Sequence, residues 1–164
     1  MKKLLILIIF SPLTFFAQKN ISRVVARDVI NRGIELHDNK KYAEAIEEYE
    51  KININDTAYA LAQYEIALSN MELENYKEAT QILNDLLDYK IRFNFKQKVY
   101  LTLGNCYDMD KKPEEAIRVY TEGLKMYPYQ HNLLYNRGIT YANQKKYKEA
   151  ISDYMQAVQS NVYH

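Results

Sequence analysis

Small and aromatic residues return along this chain in a fixed order. Four stretches align on one another: Tyr42-Ala-Glu-Ala-Ile-Glu-Glu-Tyr49, Tyr76-Lys-Glu-Ala-Thr-Gln-Ile-Leu83, Pro113-Glu-Glu-Ala-Ile-Arg-Val-Tyr120 and Tyr147-Lys-Glu-Ala-Ile-Ser-Asp-Tyr154. Their alanines, Ala45, Ala79, Ala116 and Ala150, are spaced 34, 37 and 34 residues apart. Twelve residues before each lies a second small residue, Gly33, Ala67, Gly104 and Gly138. Two independent columns keep one period, the mark of a repeat architecture. The aromatic residue or leucine four places after each alanine falls one turn along the same helix face, and the small residues let two helices approach closely.

Each unit is therefore predicted to be a helical hairpin. Polar clusters between the columns mark the turns: Asn39-Lys40-Lys41, Glu74-Asn75, Asp110-Lys111-Lys112 and Gln144-Lys145-Lys146. This register predicts first helices over 26–38, 58–73, 97–109 and 132–143, and second helices over 42–52, 76–88, 113–126 and 147–158. Pro113 suits a first helical turn, where its missing N–H costs nothing, and Glu114 and Glu115 suit the positive end of the same helix. The three extra residues of the second unit belong in 89–96, where they lengthen a helix end or a loop.

These columns resemble those of the tetratricopeptide repeat family. The match is fullest at Gly104 to Tyr107 and from Pro113 through Gly123 and Leu124 to Pro128. The resemblance implies an all-α solenoid of antiparallel hairpins in a right-handed superhelix, with repeats at about 26–59, 60–96, 97–130 and 131–164. Ile52 and Leu86 depart from the family's small residue late in the second helix, Arg32 stands in place of leucine, and only the third repeat carries a closing proline. Most of the 16 tyrosines fall in recurring columns and are expected to be packing residues.

Composition adds constraints. Of the 164 residues 48% are hydrophobic and 26% charged, an ordinary balance for a folded domain, and only four Gly and three Pro are present. Twenty-two Lys and Arg face 21 Asp and Glu, so no bulk field favours nucleic acid. Residues 1–17 have the layout of a secretory signal peptide: Lys2 and Lys3, an apolar run from Leu4, Pro12, and Ala17 before a cleavage point. The run of 14 residues from Leu4 to Ala17 is shorter than the roughly 20 of a membrane span. The expected product is exported, periplasmic or secreted, without a membrane span in the mature chain, with 18–25 as a lead-in to a repeat domain over 26–164.

No residue pattern announces catalysis. His37, His131 and His164 lack metal spacing, phosphate-binding and nucleophile motifs are missing, and the single Cys106 has the surroundings of a small core residue. Paired acids such as Glu47 and Glu48, or Glu114 and Glu115, recur with the repeat and are expected on solvated helix starts. No cofactor or metal is expected, nor an enzyme. The family resemblance directs attention to the concave surface of the first helices, where Ile30 and Ile34, Tyr64 and Leu68, Leu101 and Asn105, and Tyr135 and Ile139 form a mostly apolar strip, with Asn136 beside it. That strip is expected to take an apolar segment of a protein or peptide partner, with the asparagines bonding its backbone, unless neighbouring helices cover part of it. Asn105 and Asn136 occupy two columns of the carboxylate clamp some relatives use, but Leu101 stands where its first lysine belongs, so that clamp is not expected. Ile151, Tyr154 and Val158 are expected to form an apolar edge at the C-terminal end, open to self-association or to a further part of a longer protein. The function expected is a scaffold or adaptor of the bacterial cell envelope; the alternative is a helper or regulatory module of a larger enzyme, sensor or secretion complex.

Overall fold

A computed structural model describes the backbone of residues 12–162 and the side chains of residues 25–160. Among these residues eight helices follow one another and no strand occurs: α1 (Pro12–Asp38), α2 (Tyr42–Tyr49), α3 (Tyr59–Glu72), α4 (Tyr76–Asp88), α5 (Phe93–Met109), α6 (Pro113–Met126), α7 (His131–Asn143) and α8 (Tyr147–Val162). Each helix packs on the next, and α1 with α3 and α5 with α7 also touch, as first helices of stacked hairpins do. The expected lead-in, 18–25, is helical and continuous with α1. The signal-peptide expectation rests largely on residues 1–11, which lie outside the described residues.

The four turns share one geometry. Lys40, Glu74, Lys111 and Lys145 all adopt left-handed backbone, with φ of 61°, 61°, 58° and 61°. In each turn that residue's amide bonds a carbonyl three residues back, as Lys40 does to His37, and the next amide bonds one five back, as Lys41 does to Leu36. This paired closure satisfies the carbonyls that a helix end leaves over. The second helix then begins at once, with the alanine-column amides of Ala45, Ala79, Ala116 and Ala150 bonding Lys41, Asn75, Lys112 and Lys146. Pro113 opens α6 as predicted, with Glu114 and Glu115 behind it.

Inside the hairpins, glycine and tyrosine are matched. A Cβ added at Gly33 would lie 2.2 Å from the Tyr49 ring, at Gly104 2.1 Å from Tyr120, and at Gly138 2.6 Å from Tyr154. The second hairpin has Ala67 in the small column and the narrower Leu83 in the partner column, both fully buried. Buried clusters then join hairpin to hairpin. Tyr49 and Ile52 meet Ala62 and Ile66, Leu83 and Leu86 meet Val99 and Leu103, and Leu124 and Tyr127 meet Leu133 and Leu134. Ile52 and Leu86, the departures from the family's small residue, are thus core contacts. Cys106 is fully buried among them, and burial raises its thiol to about 11.

Four boundaries shift from expectation by three residues or more: α1 begins at Pro12 rather than 26, α8 runs to Val162 rather than 158, and two more change inside the repeats. Helix α2 ends at Tyr49 rather than 52, and α5 starts at Phe93, four residues before the expected 97. The extra residues of the second repeat therefore extend α5 backwards. The extension is held where Tyr127 Oη donates to the Phe93 carbonyl at 2.6 Å and the two rings lie 4.5 Å apart.

Candidate interaction surface

The members of the predicted strip lie on α1, α3, α5 and α7 and differ in what they offer. Ile30 is 6% exposed and belongs to the first core cluster, whereas Ile34 is 39% and Tyr135 54% exposed. Tyr64, Leu68, Leu101, Asn105, Asn136 and Ile139 are half-buried. Tyr64 packs edge-on against Phe95, with ring centroids 5.3 Å apart, and its hydroxyl is 2.9 Å from that of Thr102 on the next repeat. Burial of the ring raises its phenol pKa. Leu101 lines a recess of about 280 Å³ together with Tyr64, Lys98 and Asn132. Asn105 accepts from Tyr120 Oη at 2.7 Å, which holds the carboxamide from beneath, while Asn136 Nδ2 donates to the Asn132 carbonyl at 2.9 Å.

Two polar columns escaped the sequence reading. One links successive repeats: His37 Nδ1 lies 3.0 Å from Ser69 Oγ, and Thr140 Oγ1 donates to Asp108 Oδ2 at 2.6 Å. Both pairs are 32 residues apart, and Met71 and Cys106, buried in the central cluster, hold the same two places between repeats two and three. Burial raises the Asp108 carboxyl pKa, against the hydrogen bonds from Thr140 and Tyr120. Glu65, on the same face, is raised by burial against the nearby His37 and Lys98.

The second column pairs positions 16 apart within a hairpin. Ile66 with Ile82 and Leu103 with Val119 are apolar and turned toward the preceding hairpin. In the first and fourth repeats the same places hold Arg32 with Glu48 and Arg137 with Asp153. Glu48 is therefore not on a solvated helix start as expected: it is 8% exposed, because Arg32 and Lys51 close over it. Arg137 grips Asp153 with two bonds of 2.7 Å and donates a third, of 2.9 Å, to Thr121 of the preceding repeat. A charged residue sixteen places before its opposite was the available signal, legible only once the hairpin register is known.

At the C-terminal end Tyr147, Ile151, Met155 and Val158 of α8 are 58–66% exposed. Tyr154 is not part of that edge; it turns inward to fill the space that Gly138 leaves. No group of three or more His, Cys, Asp or Glu among the described residues stands ready to hold a metal ion. What the first-helix strip offers a ligand is apolar contact and hydrogen bonding.

Family models described as tetratricopeptide repeat match residues 97–130 and 131–161, the third and fourth hairpins. This is a tetratricopeptide-repeat protein. Its repeats make it a protein–protein interaction module with an all-α solenoid fold. It is 44% identical over 57 residues to the DnaJ homolog subfamily C member 3 of Homo sapiens, covering 35% of this chain and 11% of that protein. It is 34% identical over 102 residues to the Hsp70-Hsp90 organising protein of Plasmodium falciparum, covering 57% of this chain and 17% of that one. The tetratricopeptide repeats here thus span under a fifth of the length of these relatives. Among solved structures, MamA from Desulfovibrio magneticus RS-1 superimposes with a TM-score of 0.70 at 17% identity, over 85% of this chain and 77% of that one. That likeness is one of fold.

Proposed function

We propose that the protein is an exported, non-enzymatic adaptor of the bacterial cell envelope that holds a peptide or protein segment along the concave face of its first helices. The observation that carries the groove is the contrast along the strip. Ile34 and Tyr135 stay exposed at its two ends while Tyr64, Leu101 and Asn105 form a half-buried floor that packing and hydrogen bonds have already ordered. A pre-ordered floor with amphipathic rings at hand costs little entropy to engage. Export is supported by the residue order from Lys2 to Ala17, and no helix of the described residues is long and apolar enough to cross a membrane.

Affinity capture from envelope extract tests the groove. An Ile34→Asp, Tyr135→Asp variant, altered only at exposed positions, is expected to lose at least about tenfold in partner recovery. Undiminished recovery by the folded variant overturns the groove. Mass spectrometry of the protein made in its own host tests export: the expected N-terminus is Gln18, and a cell-retained chain that keeps its first seventeen residues overturns it.

A further inference from the structure

We propose that the cleft between the α2–α3 connection and the α4–α5 connection is a docking site for an acidic, apolar segment of a partner protein. The inference rests on the protein-binding reading above and adds a second surface with a defined chemistry. The cleft has a volume of about 1140 Å³, just above the usual range of ligand pockets. Its apolar walls are left open by the chain's own packing: Ile54 is 56%, Phe93 58%, Leu61 40% and Tyr89 38% exposed. Yet the walls are held in place. Tyr89 Oη donates to the Ile54 carbonyl at 3.3 Å, tying one connection to the other, and Tyr59 lies 5.7 Å from the Tyr89 ring. Phe93 is fixed on Tyr127. A pre-formed apolar surface that the chain does not cover is a surface for something else.

The charge around the cleft says what that is. Lys90, Arg92 and Lys98 line it, against the single carboxylate of Asp56, which accepts from the Ala58 amide at 2.8 Å. Among the described residues none of these three cations is in an ion pair, and only Lys98 has a further carboxylate nearby, that of Glu65. The whole chain is close to neutral, 22 cations against 21 acids, so three cations lining one cleft against one carboxylate is a local excess. An excess of cations beside aliphatic and aromatic walls complements carboxylates set among apolar side chains. Nucleic acid fits less well: its affinity comes from neutralising many phosphates, and here only three cations converge, beside the aliphatic Ile54, Leu61 and Ile91. Lys98 also borders the recess at Leu101, so a segment leaving the cleft runs directly into the concave strip.

Fluorescence anisotropy with a labelled peptide, Asp-Phe-Asp-Leu-Glu-Phe, on the full chain tests the site. Binding is expected to weaken with salt, to vanish for the peptide with lysine in place of each acid, and to fall at least about tenfold in Lys90→Glu, Arg92→Glu. The groove variant Ile34→Asp, Tyr135→Asp is expected to bind the peptide within about twofold of the parent. Absence of binding, indifference to the double charge reversal in a variant with unchanged circular dichroism, or tighter binding of an oligothymidylate each overturns the cleft. The two readings fail separately: the groove is judged by recovery of the cellular partner, and the cleft by the acidic peptide.

Discussion

At position 104 one methyl group decides whether the hairpin closes, because the Tyr120 ring occupies the space where a Cβ would stand. Gly104→Ala should gain the helix propensity of alanine, about 1 kcal/mol, and lose more than that to overpacking, for a net destabilisation of about 1–3 kcal/mol. Adding Tyr120→Leu recreates the Ala67 and Leu83 pair of the second repeat. Urea titrations should show the double variant to be less destabilised than the sum of the singles, and strict additivity would refute the matched-pair account. The turn residues carry a cost of the opposite kind. Lys40, Glu74, Lys111 and Lys145 adopt a left-handed backbone that suits glycine best. Lys111→Gly, at an exposed site, should therefore raise stability by about 0.5–1 kcal/mol; a lower urea midpoint would count against the strain.

Hairpin pairs differ in whether they close with apolar or charged side chains. Asp153 is 4% and Arg137 16% exposed at the side chain, so removing one partner leaves a buried charge unmatched. Asp153→Ala should cost about 3–5 kcal/mol, whereas Arg137→Leu with Asp153→Val, the pair found in the third repeat, should match or exceed the parent. A double variant as unstable as the single would show that the charge, and not merely the filled volume, is required. Protonation acts on these elements with opposite signs. The Lys51 hydrogen bond, opposed by burial and aided by Arg32, holds the Glu48 carboxyl below its ordinary 4.5. Its stabilising contribution is full above 4.5 and is lost as pH falls through the lower folded value. Asp108 and Glu65 are raised by burial, so their charged forms oppose folding at neutral pH, and that opposition is relieved as pH falls through their folded values toward the ordinary 3.8 and 4.5. Urea midpoints should therefore rise between neutral pH and the ordinary carboxylate range and fall below it. Asp108→Asn, which keeps an oxygen for Thr140 and Tyr120, should flatten the rise; an unchanged profile would remove Asp108 from this role.

As a whole the molecule is a stack in which each hairpin is stabilised by its neighbours, and among the described residues the first and fourth have a neighbour on one side only. Native-state hydrogen exchange should find the strongest protection in α3–α6 and earlier opening in α1–α2 and α7–α8; uniform protection would mean that the solenoid opens as one unit. The repeat, the eight helices and the turn positions were legible in the sequence, because the 34-residue period and the helix spacing are local properties that each column states four times. The columns of the proposed strip could be aligned in the sequence, but not the burial of Ile30, which the packing of α1 on α2 and α3 decides. The sequence by itself thus determined which residues share a helix face and where each hairpin turns. Only the tertiary structure decided that Arg137 meets Asp153 and Thr121, that Asp108 meets Thr140, and that residues 54–61 and 89–98 close on one cleft. Those meetings join residues from different turns, and the stacking of hairpins, which no single period records, sets the distance between them.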